Sequence, residues 1–254
     1  MKAGKDIPVS LESLRFYATV PHACSYLPGR EATTLFADPS ARMDNALYTR
    51  LSALGFRRSG EHIYRPHCAT CHACVPVRVP VARFVASRSQ RRTWKRNAHL
   101  TTHERPVRFD EAHYALYRRY ISTRHRGGGM DQDSPEHYMA FISSPWSDTR
   151  LYEFREDGRL LAVAVTDHLG DALSAVYTFF DPDQGRRGLG VYAVLWQIRQ
   201  AVRLERRWLY LGYWIAECPK MAYKNRYRPL EAFDGRHWTA ELPGNDAGGS
   251  PETV

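Results

Sequence analysis

Three of the chain's five cysteines stand at two-residue gaps in RPHCATCHACVPVRVP (65–80): Cys68, Cys71 and Cys74, with His67 and His72 beside the first and second. Three thiolates so spaced can wrap a single ion or cluster. A fourth ligand must come from elsewhere; Cys24 in HACSYLPGR is the natural choice, with His67 or His72 in reserve. The spacing suits an iron–sulfur cluster, and the ligand type equally permits four-coordinate zinc. The alternative is a set of free, redox-sensitive thiols. In a reducing compartment an odd, crowded set of cysteines favours metal binding or catalysis over a disulfide framework. Cys218 stands alone and reads as a structural thiol rather than a nucleophile.

A second constellation is GYWIAECPKMAYKNRYRPLE (212–231), where Tyr213, Trp214, Tyr223 and Tyr227 interleave with Lys220, Lys224, Arg226 and Arg228. Aromatic faces stack on bases, while cations bind phosphates or a carboxylate. The alternative is a solvated basic face with tyrosines closing the core. SRSQRRTWKRN (87–97) gathers Arg88, Arg91, Arg92, Lys95 and Arg96 around Trp94. RRGLG (186–190) opens a helix, where free N–H groups and the helix dipole can hold an anion. A similar turn cradles the pyrophosphate in coenzyme A-dependent acetyltransferases. Their Arg or Gln slot ahead of the glycines is Gly185 here, which argues against coenzyme A.

The composition agrees with a polyanionic partner. Lys plus Arg outnumber Asp plus Glu by 36 to 27, giving a formal charge of +9 and a pI near 9.4, and nucleic acid is the first candidate. The 254 residues suffice for one large or two small domains. No apolar run approaches the roughly 18 residues of a membrane span, and MKAGKDIPVS lacks a signal-peptide core. The expected setting is the cytoplasm, with no membrane partner. No G-x-x-x-x-G-K-[ST] loop is present, so ATP-driven activation is not indicated.

The elements that must position these residues follow from periodicity and punctuation. ARMDNALYTRLSALGF (41–56) predicts a helix with Leu47, Leu51 and Leu54 on one face and Gly55 as its stop. VPVRVPVARF, punctuated by proline, predicts an edge strand or extended connector. Residues 87–97 predict a helix capped by Ser87 or Ser89, at the seam between two halves. Helices follow over 110–125 and over 134–143, the latter with Ser134 as cap and Pro135 in its first turn. RLYEFR, RLLAVAVTDHL and ALSAVYTFFD then predict an antiparallel meander. After RRGLG a helix presents Val191, Val194, Leu195, Ile198 and Val202 to the core, and WLYLGYW closes as a strand.

The expected class is therefore α+β. Residues 101–241 would form an acetyltransferase-like (GNAT-type) domain, with a smaller cysteine-containing α+β domain over 11–100 packed against it. Residues 1–10 and 242–254 have little to bury and are expected to be disordered.

Five segments carry a specific resemblance: HACSYLPGREATTLFADP (22–39), YRPHCATCHACVPVRV (64–79), SPWSDTRLYEF (144–154), AVYTFFDPD (175–183) and YLGYWIAECPKMAYKNRYRPLE (210–231). In order and spacing they resemble the bacterial aspartate/glutamate leucyltransferases, a branch of the arginyl-tRNA–protein transferases. The resemblance implies leucyl-tRNA as donor, proteins with N-terminal Asp or Glu as acceptors, and N-degron proteolysis as the consequence. It implies no coenzyme A and no cofactor required for chemistry. Leucine rather than arginine rests on the branch resembled. Related eukaryotic transferases carry a C-x-x-C pair in the early motif; here Cys24 stands alone and Leu27 fills the second slot. The loop RGGGMDQDSPEHY (126–138) departs from relatives, which usually have an acidic residue among its glycines and prolines.

That chemistry asks little beyond positioning. An aminoacyl ester is already activated, and an α-amino group with an ordinary pKa of about 7.7–8.0 is partly neutral near neutral pH. Two substrates must be aligned and an oxyanion stabilised. Arg30, Lys220, Lys224, Arg226 and Tyr227 are the candidates for substrate binding, the cations for the acceptor carboxylate. Tyr213 and Tyr223 are candidates to donate to the carbonyl oxygen or relay a proton, and Glu217 is the candidate base. The 87–97 helix would meet the tRNA acceptor stem. Other readings are an arginyl-tRNA-dependent transferase, an acetyltransferase, or a non-enzymatic metal-bearing RNA-binding protein.

Overall fold

The computed structural model describes residues 11–124 and 134–242. The expected disordered termini fall outside these residues (Leu242 apart), as does most of the 126–138 loop. From the N-terminus come β1 (Phe16–Ala18), β2 (His22–Ala23), β3 (Glu31–Ala32), β4 (Thr34–Ala37), α1 (Asn45–Ala53), β5 (Arg57–Ser59) and β6 (His62–Pro66). Strands β1-β4-β6-β5 make a small sheet, and β2 and β3 a separate hairpin. Asp44 caps α1 by accepting the Leu47 N–H at 2.7 Å. Gly55, at φ +81°, supplies the left-handed stop. Leu47, Tyr48 and Leu51 are buried, whereas Leu54, expected on the same face, is exposed.

Next come β7 (Val75–Pro80), α2 (Arg88–Asn97), β8 (Thr101–Pro106), α3 (Glu111–Arg124), α4 (Pro135–Ile142), β9 (Asp148–Glu156), β10 (Arg159–His168) and β11 (Ala172–Phe180). The chain ends with α5 (Leu189–Arg203), β12 (Trp208–Trp214), α6 (Pro219–Ala222), β13 (Glu231–Phe233) and β14 (Trp238–Thr239). Eight strands form one mixed sheet in the order β14-β13-β7-β12-β11-β10-β9-β8. The expected antiparallel meander is β9-β10-β11. Helix α5 then crosses over, and β12 returns parallel to β11.

β7 corrects the expected edge strand. It lies inside the sheet, antiparallel to β12 on one side and β13 on the other. Proline is tolerated there because β13 pairs only with Val77 and Arg78, which lie between Pro76 and Pro80 and not at either proline. Val75, Val77 and Val79 all enter the core. The sheet thus takes a central strand from the segment assigned to the N-terminal domain, and residue 100 marks no seam within it. One sheet face packs on α5 and α2 through Val77, Leu209, Leu211, Leu195 and Ile198. α1 and the small sheet cover the opposite face near Tyr210, and α3 and α4 cover it near Val163 and Phe179. Val202, expected in the α5 core stripe, is exposed.

Helix α2 is built as its sequence demands. Ser87 Oγ accepts the Gln90 N–H at 3.3 Å, and Gln90 Oε1 accepts the Ser87 N–H at 2.8 Å, closing a capping box. Gln90 Nε2 also donates to the Arg226 carbonyl, which fastens α2 to the 212–231 segment. Ser87→Ala is expected to lower unfolding free energy by about 1 kcal/mol in urea titration.

Candidate active site

The site is organised by a parting of strands. β11 and β12 pair only over Ala172–Ser174 and Trp208–Tyr210, although both continue beyond. Ala175, Val176, Tyr177 and Thr178 are consequently only half-buried in the middle of the sheet. Arg57 of β5 reaches into the opening, and its Nη2 donates to the carbonyls of Ala175 and Val176 at 3.1 Å each. On the other side Gly212, at φ +76°, lies against the same guanidinium, which a Cβ there would overlap. The ladder with β7 shifts register between Tyr210 and Gly212. This bulge breaks the alternation of WLYLGYW, so Leu211 and Trp214 share one face while Tyr210 and Tyr213 turn to the other.

That turn corrects the expected role of Tyr213. Its side chain is buried, and its hydroxyl bonds to the carbonyls of Gly55 and Tyr64 at 3.1 Å each. Burial, with Tyr64 adding to it, holds its pKa far above the ordinary phenol range. The hydroxyl proton is committed to main-chain carbonyls within the core. Lys224 also departs from expectation: it is 4% exposed, and its Nζ donates to the Tyr213 carbonyl and contacts Met221 Sδ at 3.3 Å. Burial, reinforced by the charge of Arg57, drives its pKa well below the usual lysine range. Lys224 is therefore no open surface hook. Tyr227 is a core residue against Phe84 and Tyr223. Tyr223 is 39% exposed, and Lys220 and Arg226 lie in solvent.

Arg30 and Glu217, expected as separate candidates, meet each other. Arg30 Nη2 donates to both Glu217 carboxylate oxygens, at 3.2 and 3.0 Å. An exposed pair of this kind adds little to stability. It does occupy both groups: Glu217 would have to leave Arg30 before acting as a base, and Arg30 already holds a carboxylate. If the protein has the leucyl-transfer activity that the resemblance implies, Glu217→Gln is expected to keep it within about threefold of wild type in initial-rate assays. A loss of about 100-fold or more would instead mark it as the base.

The cysteines gather where these segments join. Cys218 packs with Leu27 and Ile215, and Cys24, Cys71 and Cys74 line the same cluster. Cys24 Sγ accepts the N–H groups of Tyr26 and Leu27 at 3.5 and 3.4 Å, and Arg30 Nη1 donates to Cys71 Sγ at 3.5 Å. Cys68 Sγ lies 3.8 Å from the Thr33 carbonyl. Among the described residues, no three His, Cys, Asp or Glu side chains converge as ligands for one ion. The expected Cys24–Cys68–Cys71–Cys74 set is thus close together without ligating geometry, and no chemical step below runs through a metal.

The thiols differ in the electrostatic setting that governs their acidity. The Ala73 backbone hydrogen bond, helped by Arg30, lowers the Cys71 pKa. Burial and the neighbouring thiols push Cys74 up to about 12. Thiolate is the reactive form, so iodoacetamide at neutral pH should label Cys71 well ahead of Cys74. Peptide mass mapping against time checks this order.

Arg88, Arg91, Arg92, Lys95 and Arg96 of α2 all lie on the surface. Trp94 departs from the expected base-stacking role: it packs between the two cores flanking α5, under the Arg199 guanidinium at 4.2 Å. The RRGLG turn is covered by the same helix. Arg96 donates to the Arg186 carbonyl, Asn97 to the Arg187 carbonyl, and Thr93 lies over Gly188.

Arg57 escaped sequence reading because nothing in GFRRSG marks a side chain that fills a gap between strands more than 100 residues away. The available signal was Gly212, a glycine inside a strand pattern, which often marks close approach by another group.

The chain is 53% identical over 238 residues to the aspartate/glutamate leucyltransferase of Alcanivorax borkumensis, covering 94% of this chain and 98% of the relative. It is 55% identical over 229 residues to the Pseudomonas putida protein of the same name, covering 90% and 97%. Among solved structures, FemX aligns over 78% of this chain and 79% of its own at 9% identity and a TM-score of 0.44, too remote to bear on fold or chemistry. Residues 22–92 match the family described as arginine-tRNA-protein transferase, N terminus, and residues 112–234 its C terminus. With both halves matched in order across the small sheet, the parted strands and the 212–231 segment, the chain belongs to the arginine-tRNA-protein transferase family.

Proposed function

We propose that the protein transfers leucine from leucyl-tRNA to the α-amino group of proteins that begin with Asp or Glu, and so marks them for N-degron proteolysis. The observation that carries this reading is near-full-length similarity, at 53–55% identity, to proteins named aspartate/glutamate leucyltransferase. The neutral amine attacks the ester carbonyl, forming the C–N bond. The tetrahedral oxyanion then collapses, breaks the C–O bond and releases the tRNA ribose hydroxyl. One proton leaves the nitrogen and one returns to the ribose oxygen.

The topology supports a domain of acetyltransferase type, with an antiparallel meander, a crossover helix and a parallel strand that parts from its neighbour. In this arrangement the parted strands receive the aminoacyl ester. Half-buried Val176, Tyr177 and Phe180 of β11, with Tyr120 4.8 Å from the Phe180 ring, offer the apolar wall a leucyl side chain needs. Tyr223, partly exposed and near Arg57, is the hydroxyl available to the carbonyl oxygen in place of Tyr213. Lys220 and Arg226 sit at the rim for the acceptor or the tRNA end, and the exposed cations of α2 meet tRNA phosphates. Pulling both substrates out of bulk solution supplies most of the acceleration such an activated ester requires.

Mass spectrometry of an Asp-initiated peptide incubated with leucyl-tRNA tests the reading. The expected product carries one added leucyl residue, and RNase pre-treatment of the donor abolishes it. An unchanged peptide mass with intact leucyl-tRNA would refute the proposal.

A further inference from the structure

The cations around the parted strands are not equivalent. Arg30 is neutralised by Glu217, Lys224 is sealed inside with its ammonium on a main-chain carbonyl, and Lys220 and Arg226 are loose in solvent. Arg57, unlike these four, is both half-buried and held at Nη2, by the carbonyls of Ala175 and Val176. Its Nη1 and Nε donate to no group among the described residues, yet neither is sealed from solvent. No carboxylate of the described residues pairs with it, although its charge is felt at Tyr26, Tyr213, Tyr223 and Lys224. A partly desolvated cation with unpartnered N–H groups and no counter-ion favours an anion from outside.

We propose that Arg57 is the specificity-determining residue of the acceptor site, its Nη1 receiving the side-chain carboxylate of the incoming N-terminal Asp or Glu. This rests on the leucyl-transfer reading above. A tRNA phosphate is excluded from the role by place: the basic surface that suits phosphates is on α2, whereas Arg57 lies between β11 and β12, where the ester carbonyl must sit. Binding the side-chain carboxylate there brings the α-amino group of the same residue to the reaction centre. Lys224 acts behind it as a positioning residue, holding the Tyr213 end of β12 through that strand's carbonyl. Asn and Gln acceptors, isosteric but neutral, leave the Arg57 charge unpaired. Such loss of a charged partner discriminates far more sharply than a change in size. The neighbouring Arg58 explains why Arg57 can be held so firmly: consecutive strand residues face opposite ways, and Arg58 is locked to Asp167 on the other side of β5.

The test is initial-rate transfer by full-length wild type, Arg57→Gln and Arg57→Lys, with Asp- and Asn-initiated peptides that are otherwise identical. Thermal unfolding confirms that each variant is folded. For Arg57→Gln the acceptor KM for the Asp peptide should rise at least about tenfold, the factor equivalent to about 1.4 kcal/mol. The preference for Asp over Asn should fall by a similar factor, while KM for leucyl-tRNA stays within about twofold. Arg57→Lys keeps the charge but not the planar fork, and should fall between wild type and Arg57→Gln. A merely structural Arg57 would raise both KM values and leave the Asp-over-Asn ratio unchanged, which overturns the proposal. If only Arg57→Lys folds, wild-type acceptor KM and wild-type Asp preference in that variant overturn it equally. Wild type that transfers no leucine at all would instead fail the underlying functional reading, a result distinct from either.

Discussion

Arg58→Met is expected to cost about 3–5 kcal/mol of stability, because it strands a buried carboxylate. Arg58 and Asp167 have fully buried side chains and make a two-point ion pair, Nε to Oδ2 at 2.6 Å and Nη2 to Oδ1 at 2.7 Å. Arg58 Nη2 also donates to the Ile142 carbonyl and to Thr149 Oγ1, and Nη1 to the Gly60 carbonyl. Asp167 accepts from Tyr48 and Thr149 as well. One ion pair therefore joins β5 of the small sheet to β10 of the large sheet, with α1 and α4 tied to the same centre. For a chain of this size the loss corresponds to a melting temperature lower by roughly 6–20 °C. Differential scanning calorimetry of the single variants and of Arg58→Met with Asp167→Leu separates the causes. The double variant should recover part of the loss, since no charge is then left without a partner. A single variant that melts within 2 °C of wild type would contradict this account of how the lobes are joined.

The second large effect concerns donor binding. Replacing Arg88, Arg91, Arg92 and Lys95 together by Gln removes four surface cations from α2. If each meets one phosphate, the slope of log affinity against log salt should flatten by about 0.7–0.9 per contact. Between 50 and 200 mM salt, wild type should then lose roughly 50–150-fold more affinity for leucyl-tRNA than the variant does. Arg96 and Trp94 are left out on structural grounds: Arg96 ties α2 to the distant Arg186 carbonyl and Trp94 packs the core, so their loss would confound binding with folding. Arg91, by contrast, bonds the Ala86 carbonyl only five residues before it. Equal salt slopes for wild type and variant, measured by filter binding, would place the tRNA elsewhere.

Much of the scaffold was legible because local chemistry and tertiary packing agree there. Ser87, Ser134 and Gly55 mark helix ends that the structure uses, and the turns after β9 and β10 fix the meander. The misreadings arise where packing overrides local grammar. β7 is central despite its prolines, because its β13 partner pairs only with Val77 and Arg78, two of the three residues between them. Tyr213 faces the core because a bulge shifts the alternation of β12 by one position. Lys224 read as a surface cation, yet the 310 turn at Tyr223–Arg226 draws it inward onto the Tyr213 carbonyl. The cysteines, spaced in sequence like ligands, pack instead where the Cys24 loop meets the segment that leads to α2, and Cys218 joins the same cluster. Arg57 depends on contacts among three segments remote in sequence, and no spacing rule reports such a contact.

The central claim is a donor and acceptor pairing, and one experiment addresses it directly. Radiolabelled leucyl-tRNA and arginyl-tRNA are each offered to the purified protein with peptides starting Asp, Glu, Lys and Ala. The account predicts leucine on the Asp and Glu peptides alone. No leucine on either acidic peptide, or arginine transferred in its place, would contradict it.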